Sequence, residues 1–157
     1  MKLETKNSVG YIIFLFTLLS IIGGILEISY MLIIEQRFVV GGFFHAPIRP
    51  IYGFGGLILY FLPQVLKKND IILFMSSFVV CSFFEYITSY LLEMCFNRVI
   101  WNYTNFIFNI NGRICLLHST IWGILGILFY HIIEVKIYQL YNKIKINIFH
   151  KKLKLER

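Results

Sequence analysis

The sequence has little charge. Only 15% of its 157 residues are Asp, Glu, Lys or Arg, whereas 58% are hydrophobic and 18% are aromatic. A soluble domain of this length exposes more charge, so this composition disfavours a soluble globular fold. The chain also lacks a Walker A motif, which excludes ATP hydrolysis by the chain itself. Its cysteines and histidines show no metal-ligand spacing, so the sequence predicts no metal site and no cofactor.

The sequence contains long apolar runs. Four of them lie at roughly residues 9–34, 50–66, 71–96 and 114–135. Runs of about 18 or more apolar residues are typical of membrane-spanning helices. The first run is too long for a signal-peptide core and lacks a small-residue cleavage pattern, so we interpret it as a retained helix. The predicted fold is all-α, a four-helix transmembrane bundle with a basic amphipathic C-terminal tail.

No internal repeat, low-complexity tract or linker is apparent along the chain. We therefore interpret it as one membrane domain, residues 1–135, followed by a basic cytoplasmic tail, residues 136–157. In this tail lysines alternate with apolar residues at helical spacing, namely Ile137, Leu140, Tyr141, Ile144 and Ile148. The pattern is typical of a basic amphipathic helix on the anionic inner leaflet of a membrane. A frayed extension that only fixes topology is the alternative.

Basic residues are distributed unevenly around the four runs. Eleven lie at the N-terminus, between the second and third runs, or in the tail; the other four are the arginines at positions 37, 49, 98 and 113, in the remaining two connections. By the positive-inside rule, the sequence predicts a multi-pass protein of the cell membrane, the bacterial inner membrane, with both termini cytoplasmic. These positions favour the lipid bilayer as the partner of the positive charge and argue against nucleic acid.

Three glutamates lie within the first and third apolar runs: Glu27 in the first, and Glu85 and Glu93 in the third. A charged side chain at the centre of a bilayer costs about 2.5–3.5 kcal/mol on insertion scales, so such residues usually face protein or water and have a function. On the third run, Ser82, Glu85, Ser89 and Glu93 follow one another at steps of three and four residues. They therefore form one polar stripe along a helix.

We predict that these carboxylates meet arginines in a pocket that opens to the outer side. Glu27 and at least one of Glu85 and Glu93 are expected to lie within ~4 Å of an arginine, with Arg113 as the leading partner. The candidate substrate-binding residues are Glu27, Tyr52, Glu85, Glu93, Trp101, Asn109 and Arg113. The alternative is that the acidic residues form structural ion pairs that fix the register of the helices.

Residues 43–56 read FFHAPIRPIYGFGG and separate two apolar runs. Pro47 and Pro50 prevent a continuous helix and predict an extended entry to the second one. Non-helical backbone at membrane depth is tolerated only where protein or water covers it. The segment is therefore expected to fold back over the bundle as a lid or a re-entrant entry.

Several short elements, taken in order, resemble one family. PIYGFG follows a proline-containing loop, EY and a second Glu lie on the third run, and W-x-Y, FN and NGRI precede a helix that contains WG. Together they resemble the CmpB-like ABC-transporter type IV permeases, bacterial integral membrane proteins, over residues 23–126. The matching residues are Glu27, Tyr30, Gly42, Pro47, Pro50, Ile51, Tyr52, Gly53, Gly55, Glu85, Tyr86, Glu93, Trp101, Tyr103, Asn109, Gly112, Arg113, Trp122 and Gly123. Gly41, Ala46 and Asn102 depart from the pattern, since the family tends to have Arg, Gly and Asp there.

The resemblance implies a permease-like transport subunit rather than an enzyme. Because four helices are few for a complete translocation path, such a role requires a homo- or hetero-oligomer, and it implies a separate ATPase subunit as partner. One alternative is a membrane-embedded enzyme that acts on lipid head groups, with a carboxylate as base and an arginine holding phosphate. Another is a non-catalytic accessory membrane subunit.

Overall fold

The structure is a computed structural model that describes residues 8–34, 36, 48–66 and 69–155. Helices dominate this part of the chain, with one two-stranded antiparallel hairpin among them. In chain order the elements are α1 (Val9–Ile34), α2 (Pro50–Val65), α3 (Asp70–Phe96), β1 (Asn109–Ile110), β2 (Ile114–Cys115), α4 (Leu116–Leu128), a π-helical turn (Phe129–Ile133) and α5 (Glu134–Leu155). The predicted all-α fold is confirmed. The first three helices begin and end within one residue of the predicted bounds.

Within the described residues, three continuous helical stretches are long and apolar enough to cross a membrane: Val9–Ile33, Asp70–Phe96 and Leu116–Ile148. Only 22–28% of the apolar window of each stretch is buried inside the protein. The remaining apolar surface is therefore available to lipid, as expected for helices that cross a bilayer. α2 is apolar but shorter, so the bundle combines three full-length helical stretches with one short helix.

Local sequence signals explain where the helices begin and end. Asn69 caps α3, because its Oδ1 accepts hydrogen bonds from the backbone N–H groups of Ile71 (2.9 Å) and Ile72 (3.4 Å). Asn97 ends the same helix in the left-handed conformation, with φ of 52°. Pro50 occupies the first turn of α2, where its missing N–H leaves no helical hydrogen bond unmade.

The helices pack as two antiparallel pairs, α1 with α2 and α3 with α4, and α2 also contacts α3. We call these the first and the second helical pair. In each pair, glycines of the shorter helix face side chains of the longer one: Gly53 and Gly56 face α1, and Gly123 and Gly126 face α3. Small residues at these positions let the helix backbones approach closely, which is the usual basis of helix association in membranes.

In each pair the shorter helix begins beside the middle of the longer one. The Arg49 N–H, next to the first residue of α2, donates to the Ser20 carbonyl of α1 (3.0 Å). The Ser82 hydroxyl of α3 lies 2.6 Å from that of Ser119, near the start of α4. Beyond these points α1 continues from Ser20 to Ile34 and α3 from Ser82 to Phe96, which is 14 residues, or ~21 Å, in each case. The end of the bundle at which α1 and α3 finish is called the upper end, and the opposite end the lower end.

The lower end is closed by aromatic rings and by α5. Tyr11 is fully buried, its ring contacts those of Tyr60 and Tyr138, and its hydroxyl donates to Glu134 Oε1 (3.2 Å). The π-helical turn joins α4 to α5 without interrupting the helix, and Ile137 of α5 is buried. The tail region is therefore helical as α5, continues α4 and contacts α1.

Candidate functional site

Glu85 lies in the middle of the polar stripe of α3 and is only 7% exposed. Its Oε1 accepts a hydrogen bond from the Tyr103 hydroxyl (2.9 Å), and its Oε2 accepts one from the Trp122 indole N–H (3.0 Å). Both donors are uncharged. The ion pairs within the described ranges involve the other acidic residues of this region and leave Glu85 without a cation. Among the residues that the structure describes, Glu85 is thus a buried carboxylate held by neutral donors only.

Tyr103 reaches Glu85 because the connection between α3 and α4, residues 97–115, folds back into the space beside the upper part of α3. The Tyr103 N–H donates to the Gly112 carbonyl (2.8 Å), and the Tyr103 ring stacks on that of His118 at 4.2 Å. Burial and the neighbouring Glu85 carboxylate raise the pKa of Tyr103 well above its usual value. The phenol therefore stays protonated and acts as a hydrogen-bond donor to Glu85.

Glu27 has a different environment. The Arg49 Nε donates to Glu27 Oε1 at 3.2 Å, and the side chain of Arg49 is only 9% exposed. The hydroxyl of Tyr52, three residues further along α2, also interacts with the Glu27 carboxylate. Since Arg49 is anchored through its backbone to α1, the cation is held in place. The charge of Glu27 is therefore balanced by a residue of the protein.

Glu93 forms the second ion pair of the upper end. Its Oε2 lies 2.6 Å from Arg113 Nη1, and the same nitrogen lies 3.4 Å from the Ser89 hydroxyl. The guanidinium also lies over the rings of Tyr86 (5.9 Å) and Tyr90 (5.5 Å), as in cation–π contacts. Glu93 is 43% exposed in its side chain, so this pair is more accessible to solvent than the one at Glu27.

The prediction that two of the glutamates lie near an arginine is confirmed, but the prediction that Arg113 is the partner of Glu27 is wrong. Glu27 and Glu93 each lie within salt-bridge distance of an arginine, as predicted. Of the three glutamates, Arg113 pairs with Glu93 alone, and Glu27 is paired with Arg49 instead. The reason is that Arg49 directly precedes α2, which packs on α1, whereas Arg113 precedes α4, which packs on α3. Two separate ion pairs thus replace the single shared arginine.

Two further predicted site residues lie in the 97–115 connection and stabilise it. The Trp101 indole N–H donates to the Arg113 carbonyl (3.0 Å). The Asn109 side chain donates to the carbonyls of Thr104 (3.2 Å) and Phe106 (2.9 Å). Asn102 accepts from the Thr104 N–H (2.9 Å) through its side-chain oxygen, a contact that the family's aspartate can also make. These residues shape the loop that carries Tyr103.

Of the predicted site residues, the structure therefore brings Glu27, Tyr52 and Glu85 into one neighbourhood and places Glu93 with Arg113 further up α3. The prediction omitted Arg49, Tyr103 and Trp122 from the site. Tyr103 and Trp122 were among the residues shared with the family, but periodicity alone gives no sign of a loop that folds back. Arg49 was noted only for its charge.

Several sequence interpretations fall on residues outside the described ranges. These are residues 43–47 of the segment 43–56 that is expected to form a lid or a re-entrant entry, and the positions Arg37, Gly41, Gly42, His45, Ala46 and Pro47. The described end of the same segment, Ile48 and Arg49, is non-helical and leads into α2. Arg49 has an extended backbone, with φ of −119° and ψ of 94°, in agreement with the extended entry predicted from the prolines.

An open groove of about 580 Å³ lies on the surface between α2 and α3. Its lining is apolar and includes Phe54, Phe61 and Phe84. It offers no polar group comparable to Glu27, Glu85 or their partners. The groove is therefore distinct from the carboxylate region in chemistry.

The bundle of long apolar helices and the buried glutamates define a multi-pass membrane protein with a polar interior. The sequence model of the family described as “Putative ABC-transporter type IV”, of the CmpB type, matches residues 14–153, nearly the whole chain. The chain belongs to this family, as the ordered motifs indicated. Searches of curated proteins and of solved structures found no match to the chain.

Proposed function

We propose that this chain is a permease-like membrane subunit of a transporter and that its substrate-contacting group is the Glu85 carboxylate. Membership of an ABC-transporter-type family supports a transport-related role. In this proposal Glu85, with Tyr103 and Trp122, binds a positively charged group or a proton that enters from the upper end. A separate ATPase subunit supplies the energy, since the chain has no Walker A motif.

The observation that carries the proposal is the difference in charge balance among Glu27, Glu85 and Glu93, the three glutamates in the upper part of the bundle. Glu27 and Glu93 each have an arginine, whereas Glu85 has two neutral donors. A buried carboxylate is stable only when hydrogen bonds, a cation or a proton offset its loss of hydration. Glu85 is thus the residue at which a cation or proton from outside has the most to contribute.

The lipid head-group enzyme is less well supported by this geometry. Such an enzyme needs an arginine that is available to a phosphate next to a carboxylate base. Arg49 and Arg113, the two arginines closest to the buried carboxylates, each already pair with one of them. Binding of phosphate would require breaking one of these pairs.

We further propose that the upper end faces the outside and that the lower end and α5 face the cytoplasm, in keeping with the distribution of basic residues. Two exposed asparagines test this orientation: Asn105 in the 97–115 connection and Asn147 in α5. In a background without native cysteines, an impermeant thiol reagent applied to intact cells is expected to label Asn105→Cys and to spare Asn147→Cys. The opposite pattern would invert the orientation.

Labelling with dicyclohexylcarbodiimide tests the special status of Glu85. This apolar reagent enters membranes and adds to protonated carboxyl groups, while carboxylates paired with arginine stay ionised and react poorly. Tagged chain in native membranes is expected to carry the adduct on Glu85 more than on Glu27 or Glu93, as mapped by mass spectrometry. Preferential labelling of Glu27 would contradict the proposal.

The link to transport is tested by co-purification. The tagged chain, extracted from its native membrane, is expected to bring an ATP-binding subunit with it. In that complex Glu85→Gln is expected to lower ATP turnover without releasing the subunit, and the matched variant Glu93→Gln, on the same helix face, is expected to change turnover less. Recovery of the chain with no ATP-binding subunit, or equal turnover in both variants, would refute the transport role of Glu85.

A further inference from the structure

The two helical pairs make equivalent contacts through equivalent residues. Gly53 of α2 lies against the ring of Phe16 in α1, and Gly123 of α4 lies against the ring of Phe74 in α3. The two phenylalanines are 58 positions apart in the sequence, and the two glycines are 70 positions apart. A side chain in place of either glycine would overlap the facing ring.

The same offsets recur at the next contact along each pair. Gly56 faces Leu19, and Gly126 faces Ser77. Leu19 and Ser77 are again 58 positions apart, and the glycines are again 70 positions apart. Two consecutive contacts with the same two offsets mean that α1 relates to α2 as α3 relates to α4.

Burial follows the same correspondence. Leu15 of α1 and Leu73 of α3, offset by 58, are 0% and 1% exposed. Leu59 of α2 and Phe129 after α4, offset by 70, are 4% and 3% exposed. These four residues include some of the most deeply buried side chains described, so the correspondence extends to the core.

The glutamates and their aromatic partners also correspond. Glu27 and Glu85 are offset by 58, and Tyr52 and Trp122 by 70. Tyr52 interacts with Glu27, and Trp122 donates to Glu85. Each pair therefore has a carboxylate on its longer helix that contacts an aromatic donor directly before the first packing glycine of its shorter helix.

These four correspondences indicate an internal repeat in which each repeat is one helical pair. The two pairs run in the same direction, although the helices within a pair are antiparallel. The interpretation that the chain has no repeat is revised. The repeat is difficult to detect in the sequence because the connections differ in length, so that the offset changes from 58 to 70 within one repeat. Few residues are identical, among them Phe16 with Phe74 and Gly53 with Gly123. Parallel repeats of this kind are common in transporters.

The repeat shows what differs between the two carboxylates. Each carboxylate has one partner besides its aromatic donor. For Glu27 this partner is the guanidinium of Arg49, and for Glu85 it is the hydroxyl of Tyr103. We propose that Arg49 occupies, in the first pair, the place that a guanidinium or primary ammonium group of an external ligand occupies at Glu85 in the second. The inference rests on the proposed function, since it requires Glu85 to be the binding group.

The chemistry of the site fits such a ligand. A guanidinium or ammonium group donates several N–H hydrogen bonds and carries the positive charge that Glu85 lacks. The ligand would replace the Tyr103 hydroxyl at Oε1, while the Trp122 indole keeps its bond to Oε2. Tyr103 belongs to a loop and not to a helix, so its side chain is the partner that can move away.

Thermal unfolding of the full chain in phospholipid nanodiscs tests the proposal. The probes are the chlorides of methylguanidinium, methylammonium and tetramethylammonium at equal ionic strength. The first two are expected to raise Tm with saturation, and tetramethylammonium, which has no N–H group, is expected to have no such effect. The rise should disappear in Glu85→Gln and persist in Glu93→Gln.

Tyr103→Phe provides a readout that a purely structural role would not produce. This variant removes the hydroxyl that competes with the ligand for Oε1. The half-saturating concentration of methylguanidinium is therefore expected to fall by roughly ten- to a hundredfold, the range that one hydrogen bond to a charged group contributes. An unchanged or higher half-saturating concentration would refute the proposed place of the ligand.

The wild-type chain alone gives a test that does not depend on the folding of variants. Methylguanidinium is expected to protect Glu85 from dicyclohexylcarbodiimide, and tetramethylammonium is not. If Glu85 is labelled but neither N–H cation protects it or raises Tm, the ligand class is wrong and the proposed function stands. If Glu85 is not labelled in preference to Glu27, the proposed function itself fails.

Discussion

The two helical pairs share their packing and differ in their charge balance. In the first pair, Glu27 meets a buried arginine that directly precedes α2. In the second pair, the equivalent Glu85 meets a tyrosine and a tryptophan. The comparison teaches that one scaffold can hold a carboxylate for two purposes. An internal cation makes Glu27 part of the framework, whereas Glu85, held by neutral donors, is the carboxylate for which we propose a ligand.

The difference arises in the connections and not in the helices. Ahead of α2, the last residue is Arg49, whose side chain reaches Glu27 at once. Ahead of α4, residues 97–115 form a folded loop that places Tyr103 at Glu85 and sends Arg113 up to Glu93. The helices thus set the positions of the carboxylates, and the connections set their partners.

Removal of Arg49 should have the largest effect on stability. Arg49→Ala leaves Glu27 as a buried carboxylate without its cation, and loss of one partner of a buried ion pair costs about 3–5 kcal/mol. Unfolding of the chain in mixed micelles with a denaturing detergent measures the change. The double variant Arg49→Ala/Glu27→Gln is expected to recover part of the loss. A single variant as stable as wild type would mean that Glu27 is not part of the framework.

Substitution of the packing glycines should have an intermediate effect and tests whether the two pairs are equivalent. Gly53→Ala and Gly123→Ala each place a methyl group against a phenylalanine ring, and overpacking of this kind costs about 1–3 kcal/mol. Gly10→Ala, at an exposed position of α1, is the control and is expected to be neutral or slightly stabilising. A large loss of stability for one glycine variant and none for the other would show that the two pairs correspond in sequence but are not equivalent in packing.

Removal of the partly exposed ion pair between Arg113 and Glu93 should have the smallest effect on stability. Arg113→Ala breaks the pair with the partly exposed Glu93, and pairs that are open to solvent contribute about 1 kcal/mol or less. Arg98→Ala, at an exposed position of the same connection, is the matched control and is expected to change stability by less than about 0.5 kcal/mol. Equal tolerance of the two substitutions would show that the upper pair adds nothing measurable.

The sequence alone predicted the helices well, because long apolar runs are a direct consequence of the lipid environment. It also identified Glu27, Glu85 and Glu93, since carboxylates in such runs are costly to place in a membrane and are therefore usually retained for a function. It did not predict that Arg49 would be the partner of Glu27. That contact depends on the level at which α2 begins beside α1, and the periodicity of one helix contains no information about its height relative to another.

The contact of Tyr103 with Glu85 could not be predicted for a related reason. Residues 97–115 contain no long periodic stretch, and their course depends on hydrogen bonds such as those from Asn109 to the Thr104 and Phe106 carbonyls. Phe108, Asn111 and Gly112 adopt positive φ values in this loop. Glycine and, to a lesser degree, asparagine favour such a conformation, whereas a phenylalanine in the sequence gives no indication of it. The family resemblance marked these positions without indicating what they contact.

The π-helical turn at Phe129–Ile133 amounts to one additional residue in an otherwise regular helix. If the same residues formed a regular α-helix instead, everything downstream would advance by ~1.5 Å and rotate by ~100° about the helix axis. Ile137 would then leave the core, and Glu134 would no longer point at the Tyr11 hydroxyl, although every side chain of α5 would be retained. The turn therefore sets the rotation of α5 about the helix axis relative to α4. It lets α4 orient Trp122 for Glu85 at the upper end while α5 independently orients its own face toward α1 at the lower end.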